Sequence, residues 1–320
     1  MSDNTPFFII GSSRSGTTLL RMVISGHSRI HIPPETWFML PLVERLPLAE
    51  PLSPAQVAAA LDIIAGHDRW PDMQMDAANL RTAVAELTAP TLAALVAPVY
   101  RHHLAAAGKP RAGDKTPHYV GIVPELATVY PGAKFIHLIR DGRDVAISFV
   151  DARFRGRPYH GARFEWTRAV RQGIAYRDSR YAAQILEVRY EDLVADLAGT
   201  VHRICDFLGE AFEPGMLHFQ ERTEQSLPAR ERHLHGKLKQ PVSADAAAVW
   251  RRKLSAMECF LMEASLHRDL DRLGYRRRYA AAAWRPLLAG SAAVLHAMAP
   301  VLDRALPALR RRHLTRVLYI

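Results

Sequence analysis

The stretch PFFIIGSSRSGTTLLRMVI, Pro6 to Ile24, constrains the fold more than any other part of the chain. Pro6 to Ile10 is an apolar run without alternation, which predicts a parallel strand covered on both faces. Gly11 to Gly16 predicts a turn. Thr17 to about Ser25 predicts a helix with Leu19, Leu20, Val23 and Ile24 on its packed side, stopped by Gly26. In that order the three pieces direct the backbone N–H groups of Arg14 to Thr18 into one loop, at the positive end of the helix. Ser15, Thr17 and Thr18 add hydroxyl donors, and Arg14 adds a permanent charge. Gly11, Gly16 and Thr18 keep the Walker A spacing, but Thr17 stands where that pattern has Lys. The loop is an anion site of an altered kind.

The alternation continues downstream. A helical, Ala-rich stretch interrupted by prolines reads as an insertion over about 40–107, followed by an extended piece from Pro110 to Pro117. A helix from about Val120 to Val129 leads to a strand at Ala133–Ile139. Asp141 caps a further helix, one more runs from about Phe164 to Ala183, and Ile185–Tyr190 is a strand. The helical segment after it ends at Gly209. Strands alternating with helices predict an α/β three-layer sandwich with a central parallel sheet, P-loop-NTPase-like, with helical insertions. Its ligands belong at the C-terminal strand ends.

The chain of 320 residues is expected to hold one domain over 1–280 and a helical tail over 281–320. Two cysteines, Cys205 and Cys259, cannot form a disulfide scaffold or a zinc site by themselves. With no charged n-region and apolar h-region at the start, the expected location is cytoplasmic. The net charge of +10 allows a nucleic-acid partner or a ligand with several negative charges. The basic residues are scattered, without the aromatic interleaving of single-strand binders, so nucleic acid is not the expected partner. The tail from Arg285 to Arg312 is apolar but interrupted by Pro300 and Pro307, too short for a spanning helix. It reads as a packed or partner-facing helix, with peripheral membrane contact as the alternative.

A second anion feature lies in LIRDGRDVAIS. Arg140 leaves the C-terminal edge of a strand on the side of the first loop, and Ser148 follows on the next helix. The bland alternative pairs Arg140 with Asp141 or Asp144. Together, RSGTTLL, RDGRDVAIS and RYEDLVADL…FLG resemble the sulfotransferases that use 3′-phosphoadenosine 5′-phosphosulfate (PAPS), in patches over roughly residues 6 to 255. The resemblance implies that Arg14, Ser15, Gly16, Thr17 and Thr18 hold the 5′-phosphosulfate, that Arg140 and Ser148 hold the 3′-phosphate, and that Tyr190 lies near the adenine. It further implies a loop over about 220–250 that closes on the cofactor, with Lys237, Lys239 and Arg251 completing the 3′-phosphate site. Family members are often dimers, so a homodimer is expected.

In-line sulfuryl transfer needs cations at the leaving oxygen, donors for the sulfonate and a base at the acceptor hydroxyl. Arg14 is the first cation and Lys115, in GDKTP, the second. Glu35-Thr36 resembles the Glu-Thr pair of the tyrosylprotein sulfotransferase branch, which makes Glu35 the expected base. His118 and His31 are alternatives. Trp37 replaces an Arg of that branch. A carboxylate matches a phenol of pKa ~10 only with transition-state coupling or a raised pKa. A sulfuryl group carries less charge than a phosphoryl group, so no metal is expected. The rivals are a P-loop kinase or NTPase, disfavoured by the missing Lys, and a non-enzymatic nucleotide- or nucleic-acid-binding protein. The acceptor is left open among peptide tyrosine, carbohydrate and small phenol.

Overall fold

Five strands form one sheet: β1 Phe7–Gly11, β2 Ile30–His31, β3 Arg111–Lys115, β4 Phe135–Ile139 and β5 Ile185–Arg189. Their spatial order is β2-β3-β1-β4-β5, and every pairing is parallel. The structure is a computed structural model and describes residues 5–152, 159–221, 227–234 and 236–279. The expected tail over 281–320 lies outside the described residues. The chain divides into two compact units, Met1–Lys253 and Leu254–Ile320. Among the described residues no helix is long and apolar enough to cross a membrane.

The helices of the first unit are α1 Thr17–Ile24, α2 Met39–Arg45, α3 Pro54–Ala65, α4 Ala77–Ala85, α5 Leu92–Ala107, α6 Val123–Val129, α7 Gly142–Asp151, α8 Tyr159–Arg177, α9 Tyr190–Ala195, α10 Leu197–Leu208 and α11 Trp250–Lys253. In the second unit, α12 Ala256–Arg272 starts on a capping box of Ser255 with Glu258.

The period of two along β1 divides the core. Phe8 and Ile10 face one side, with Phe135 and the apolar stripes of α2 to α6. Phe7 and Ile9 face the other, with Leu19, Leu20 and Val23 of α1 and Val201, Ile204 and Leu208 of α10. Burial on both sides explains why β1 is apolar at every position, as its sequence predicts. Between β2 and β3 the chain forms α2 to α5. Two elements differ from the sequence reading. The two-residue β2 is too short to leave a pattern in the sequence. The expected helix from about Val120 divides into a 3₁₀ turn, Pro117–Ile122, and α6, because Pro124 sits in the first turn and starts a new helix there.

Parallel pairing brings four strand ends to one edge. Ile9 pairs with Lys115, Gly11 with Leu138, and Ile139 with Arg189. The residues immediately after those ends carry the chemistry.

Candidate active site

Between β1 and α1 the chain turns with φ of 151° at Gly11, 66° at Arg14 and 100° at Gly16. A Cβ at Gly11 would lie 2.5 Å from the carbonyl oxygen of Leu138, and one at Gly16 would lie 2.4 Å from the Tyr190 ring. Both positions therefore need glycine for room as well as for φ. Inside the turn the Ser15 hydroxyl is buried and has no hydrogen-bond partner. An unpaired buried hydroxyl costs stability unless a partner takes up its hydrogen-bonding capacity, so Ser15 is a donor available inside the loop.

Arg140 follows β4, and its guanidinium faces the loop. Nη1 donates to the Arg14 carbonyl at 3.4 Å and Nη2 to the Ala246 carbonyl at 2.9 Å. The guanidinium lies 4.2 Å over the Tyr190 ring and 3.6 Å from Asp144, while its Nε is buried without a partner. The backbone is held from behind: the Trp166 indole donates to the Arg140 carbonyl at 2.8 Å. Arg14 Nε donates to Ser148 Oγ at 3.1 Å. Burial first, and the charge of Arg140 second, pull the Arg14 guanidinium below its ordinary value. Two guanidinium groups meet here, with the Asp144 carboxylate 3.6 Å from Arg140, a bed suited to negative charge.

The neighbouring arginine of the same motif is committed elsewhere. Arg143 donates to Asp141 through Nε at 3.0 Å and Nη2 at 2.6 Å, and packs 3.6 Å over the Trp250 ring. Asp141 also caps α7 by accepting from Arg143 N at 2.9 Å.

At the end of β3, Lys115 is 1% exposed. Its ammonium donates to Glu35 Oε1 and, at 3.3 Å, to Thr18 Oγ1 in the loop. The other Glu35 oxygen accepts from the Trp37 indole at 2.7 Å and lies 3.7 Å from Arg69 Nη2. Burial pushes the Glu35 carboxyl up. The charge and hydrogen bond of Lys115, the charge of Arg69 and the indole overcome it and hold the group at about 2. Of the two routes open to a carboxylate base, the raised pKa is therefore absent; the opposite shift is present.

Behind Glu35 a buried network fixes the turn. Thr36 Oγ1 donates to Asp114 Oδ2 at 2.7 Å and lies 2.6 Å from the Tyr119 hydroxyl. Tyr100 donates to the same Asp114 oxygen at 2.7 Å, and Thr116 to the other at 2.9 Å. Trp37 takes a left-handed φ of 53° and packs on His118, with ring centroids 4.5 Å apart.

A sulfotransferase family model matches residues 6–214, most of the chain and all the strands just described. The chain belongs to the sulfotransferase family. It is 24% identical over 219 residues to a putative protein-tyrosine sulfotransferase of Caenorhabditis briggsae, covering 67% of this chain and 69% of the relative. It is 34% identical over 143 residues to the nodulation protein NoeE of Sinorhizobium fredii, covering 44% of this chain and 30% of that one. Among solved structures, the sulfotransferase domain of the Synechococcus PCC 7002 olefin synthase shares the fold with a TM-score of 0.58 at 23% identity, covering 83% of this chain and 96% of that one.

The sulfotransferase thus gathers Arg14, Ser15, Gly16, Thr18, Lys115, Glu35, Arg140 and Ser148 at one sheet edge. Thr17 is buried under the loop at the start of α1. Tyr190 packs beneath Gly16 and Arg140 and is itself buried. Arg251 is exposed, 5.3 Å over the ring of Trp250, whose backbone N–H donates to Asp144 at 2.7 Å. The side chains of Lys237 and Lys239 lie outside the described residues. His31 is not at the site. It pairs with Ala112, three residues before Lys115, and burial, then Arg21 and Lys109, lower it to about 4. His118 stands 3.6 Å from Glu165, which also accepts from Ser13 N at 2.9 Å. Sequence reasoning missed Asp114, Arg69, Glu165 and Trp166. Arg69, Glu165 and Trp166 reach the site from other elements without a local motif, and Asp114, one residue before Lys115 on β3, gives no signal of its partners.

Proposed function

We propose that this sulfotransferase moves a sulfuryl group from PAPS to an acceptor hydroxyl, in line and without a metal ion. The observation that carries the reading is one continuous chain of contacts: Arg140 to the loop, the loop to Lys115 through Thr18, and Lys115 to Glu35. The unpaired Ser15 hydroxyl and the unpaired Arg140 Nε fit a ligand with an anion at each end. When bound, PAPS supplies a sulfuryl group on a phosphate leaving group. Arg14, Ser15, Thr17 and Thr18 hold that end, and Arg140 with Ser148 holds the 3′-phosphate. Lys237, Lys239 and Arg251 belong to the segment that closes on it, and Tyr190 flanks the adenosine through Arg140.

Glu35 takes the acceptor proton, and Arg14 and Lys115 neutralise charge at the leaving oxygen. Lys115 is shared between base and loop. Turning toward the loop's anion loosens its hold on Glu35 Oε1, so the carboxylate gains basicity when the proton must leave. Proton removal is coupled to S–O bond formation, the remaining route for so acidic a carboxyl. Glu35-Thr36 and the protein-tyrosine sulfotransferase relatives favour a phenolic hydroxyl, such as a peptide tyrosine, as the acceptor to try first.

The test compares melting temperatures with PAP and with ATP and Mg²⁺. PAP should stabilise the enzyme far more, and Arg140→Ala should erase most of that difference. Equal shifts would overturn the reading. With ³⁵S-labelled PAPS and a panel of phenols, tyrosine peptides and sugars, transfer should survive EDTA. Glu35→Gln should cut turnover by about 10²–10⁴ with PAP affinity kept.

A further inference from the structure

Two arginines cross between the helical insertion and the segment 227–234. From the insertion, Arg69 bonds Glu231 through Nη1, which also lies 3.6 Å from Asp72. From the other side, Arg230 donates to Asp72 through Nε at 2.8 Å and through Nη2, and to the Asp68 carbonyl at 3.1 Å. Glu231 is 6% exposed. This is a partly buried network, in which Arg69, Asp72 and Arg230 each have more than one partner and Glu231 is held by Arg69. The same Arg69 guanidinium turns its Nη2 toward Glu35 Oε2 at 3.7 Å. The chain that continues from this segment reaches Arg140 through the Ala246 carbonyl. One stretch of chain therefore touches the cation of the 3′-phosphate site and, through Arg69, the base.

We propose that Arg69 is a positioning residue that aims Glu35 and is itself held by Glu231, so that seating of residues 227–234 sets the base. The geometry gives the order of dependence. Lys115 fixes Oε1 and the Trp37 indole fixes Oε2, and neither of these hydrogen bonds passes through 227–234. Arg69 is the bridge: one nitrogen faces the base and the other faces the closing segment. Without Glu231 the guanidinium keeps Glu35 itself and, on the far side, Asp72, which is already engaged by Arg230, so the anchor opposite the base is weakened. The other charges that bear on Glu35 are Lys115 and Asp114 from β3, Arg14 from the loop and Arg21 from α1. Of these, Arg14 and Arg21 also feel the charge of Glu231, whereas Arg69 is in contact with both Glu231 and Glu35.

The inference rests on the functional reading above, and its test keeps the two apart. Turnover and PAP affinity are measured for Arg69→Met, Glu231→Gln and the double variant, and amide hydrogen exchange is followed across 227–234 without nucleotide. Arg69→Met should lower kcat about tenfold with the KM for PAPS unchanged, since residues in one network couple by that order. Its acid limb in the pH–rate profile should move up, because Glu35 loses a cation. Arg69→Lys, which keeps the charge but loses the fork, should restore the limb and only part of kcat. Glu231→Gln should lower kcat in the native background and do nothing further in Arg69→Met. Exchange at 229–234 should quicken in both single variants. Additive effects on kcat, or an unmoved acid limb, would overturn the positioning role in an active enzyme. If Arg69→Met fails to fold, the Glu231→Gln and Arg69→Lys pair decides by the same additivity. A native protein that transfers no sulfuryl group at all would bring down the functional reading and this inference with it.

Discussion

Replacing Glu35 by Gln leaves the Lys115 ammonium, 1% exposed, without its counter-ion. What remains to it is Thr18 Oγ1 at 3.3 Å and an amide oxygen. Breaking a buried pair from one side typically costs about 3–5 kcal/mol. The downward-shifted titration of Glu35 expresses the same pair in another form. Its ordinary value is 4.5 and its value in the fold is about 2, which at 1.36 kcal/mol per pH unit amounts to about 3 kcal/mol. A depressed carboxylate contributes fully above its unfolded pKa and loses the contribution as pH falls through the folded one. The stability gap between native enzyme and Glu35→Gln should therefore be complete at pH 7, begin to close near 4.5 and vanish toward 2. Lys115→Met should cost less, about 2 kcal/mol, because Arg69 and the Trp37 indole still face the carboxylate. The double variant should be more stable than the sum of the two losses predicts. Urea titrations at a series of pH values read all three quantities, and the melting temperature of Glu35→Gln should fall by about 6–12 °C. A Glu35→Gln protein as stable as the native one at pH 7, or a gap that does not change between pH 6 and 3.5, would show that water already screens the pair. Glu35 could then not be a base held in reserve by a buried ammonium.

Three further outcomes follow from packing and burial. Gly173→Ala on α8 should destabilise by about 2 kcal/mol, because the added Cβ would lie 2.0 Å from the buried His137 ring. The helix-propensity gain of about 1 kcal/mol is too small to offset this, so a raised melting temperature would contradict the packing. Burial holds His137 and His31 down at about 4 and His103 at about 3, against 6.5 when unfolded. The unfolded chain binds more protons below 6.5, so stability should drop as pH falls from 6.5 toward 4, by up to about 1.4 kcal/mol per pH unit for each histidine. Urea midpoints that stay flat over that range would refute this. Gly16→Ala should lose PAP binding at least tenfold, since a left-handed φ costs about 1–2 kcal/mol in an L-residue and the Cβ would strike Tyr190. Isothermal titration reads it, and unchanged affinity would show that the loop tolerates a different shape.

Much of the sheet edge was legible because its signals are local. The apolar run of β1, the glycine spacing and the Asp141 cap each act within a few residues, and they fixed both the strand ends and the side on which Arg14 and Arg140 emerge. Arg140 could be separated from Arg143 only in part. The position of Arg140 at a strand end and the pairing of Arg143 with Asp141 are local, but the packing of Arg143 on Trp250 depends on a contact across about a hundred residues. The same limit hid the support behind Glu35. Asp114 stands in GDKTP as an acid one residue before Lys115, and comes to accept from the hydroxyls of Thr36 and Tyr100, beside the local Thr116, only when β3 meets the turn at Thr36 and α5. Arg69 and Glu231 lie 162 residues apart, in segments with no periodicity to announce a pairing. The direction of the Glu35 shift was also beyond the sequence, since burial and ion pairing oppose each other there and only distances decide which prevails.

The replaced Walker lysine has a structural answer in this arrangement. A cation at position 17 would rise from the first turn of α1, inside the loop, and serve only the anion held there. Thr17 is buried instead, and the cation arrives sideways from β3 as Lys115. That route ties it at once to the loop through Thr18 and to Glu35 on the acceptor side. A lysine within the loop could stabilise a leaving phosphate but could not report its departure to the base. On the proposed mechanism Lys115, shared between the two, makes the basicity of Glu35 depend on what the loop holds. On that same proposal, moving one ammonium from a helix to a strand end couples the two halves of a group transfer.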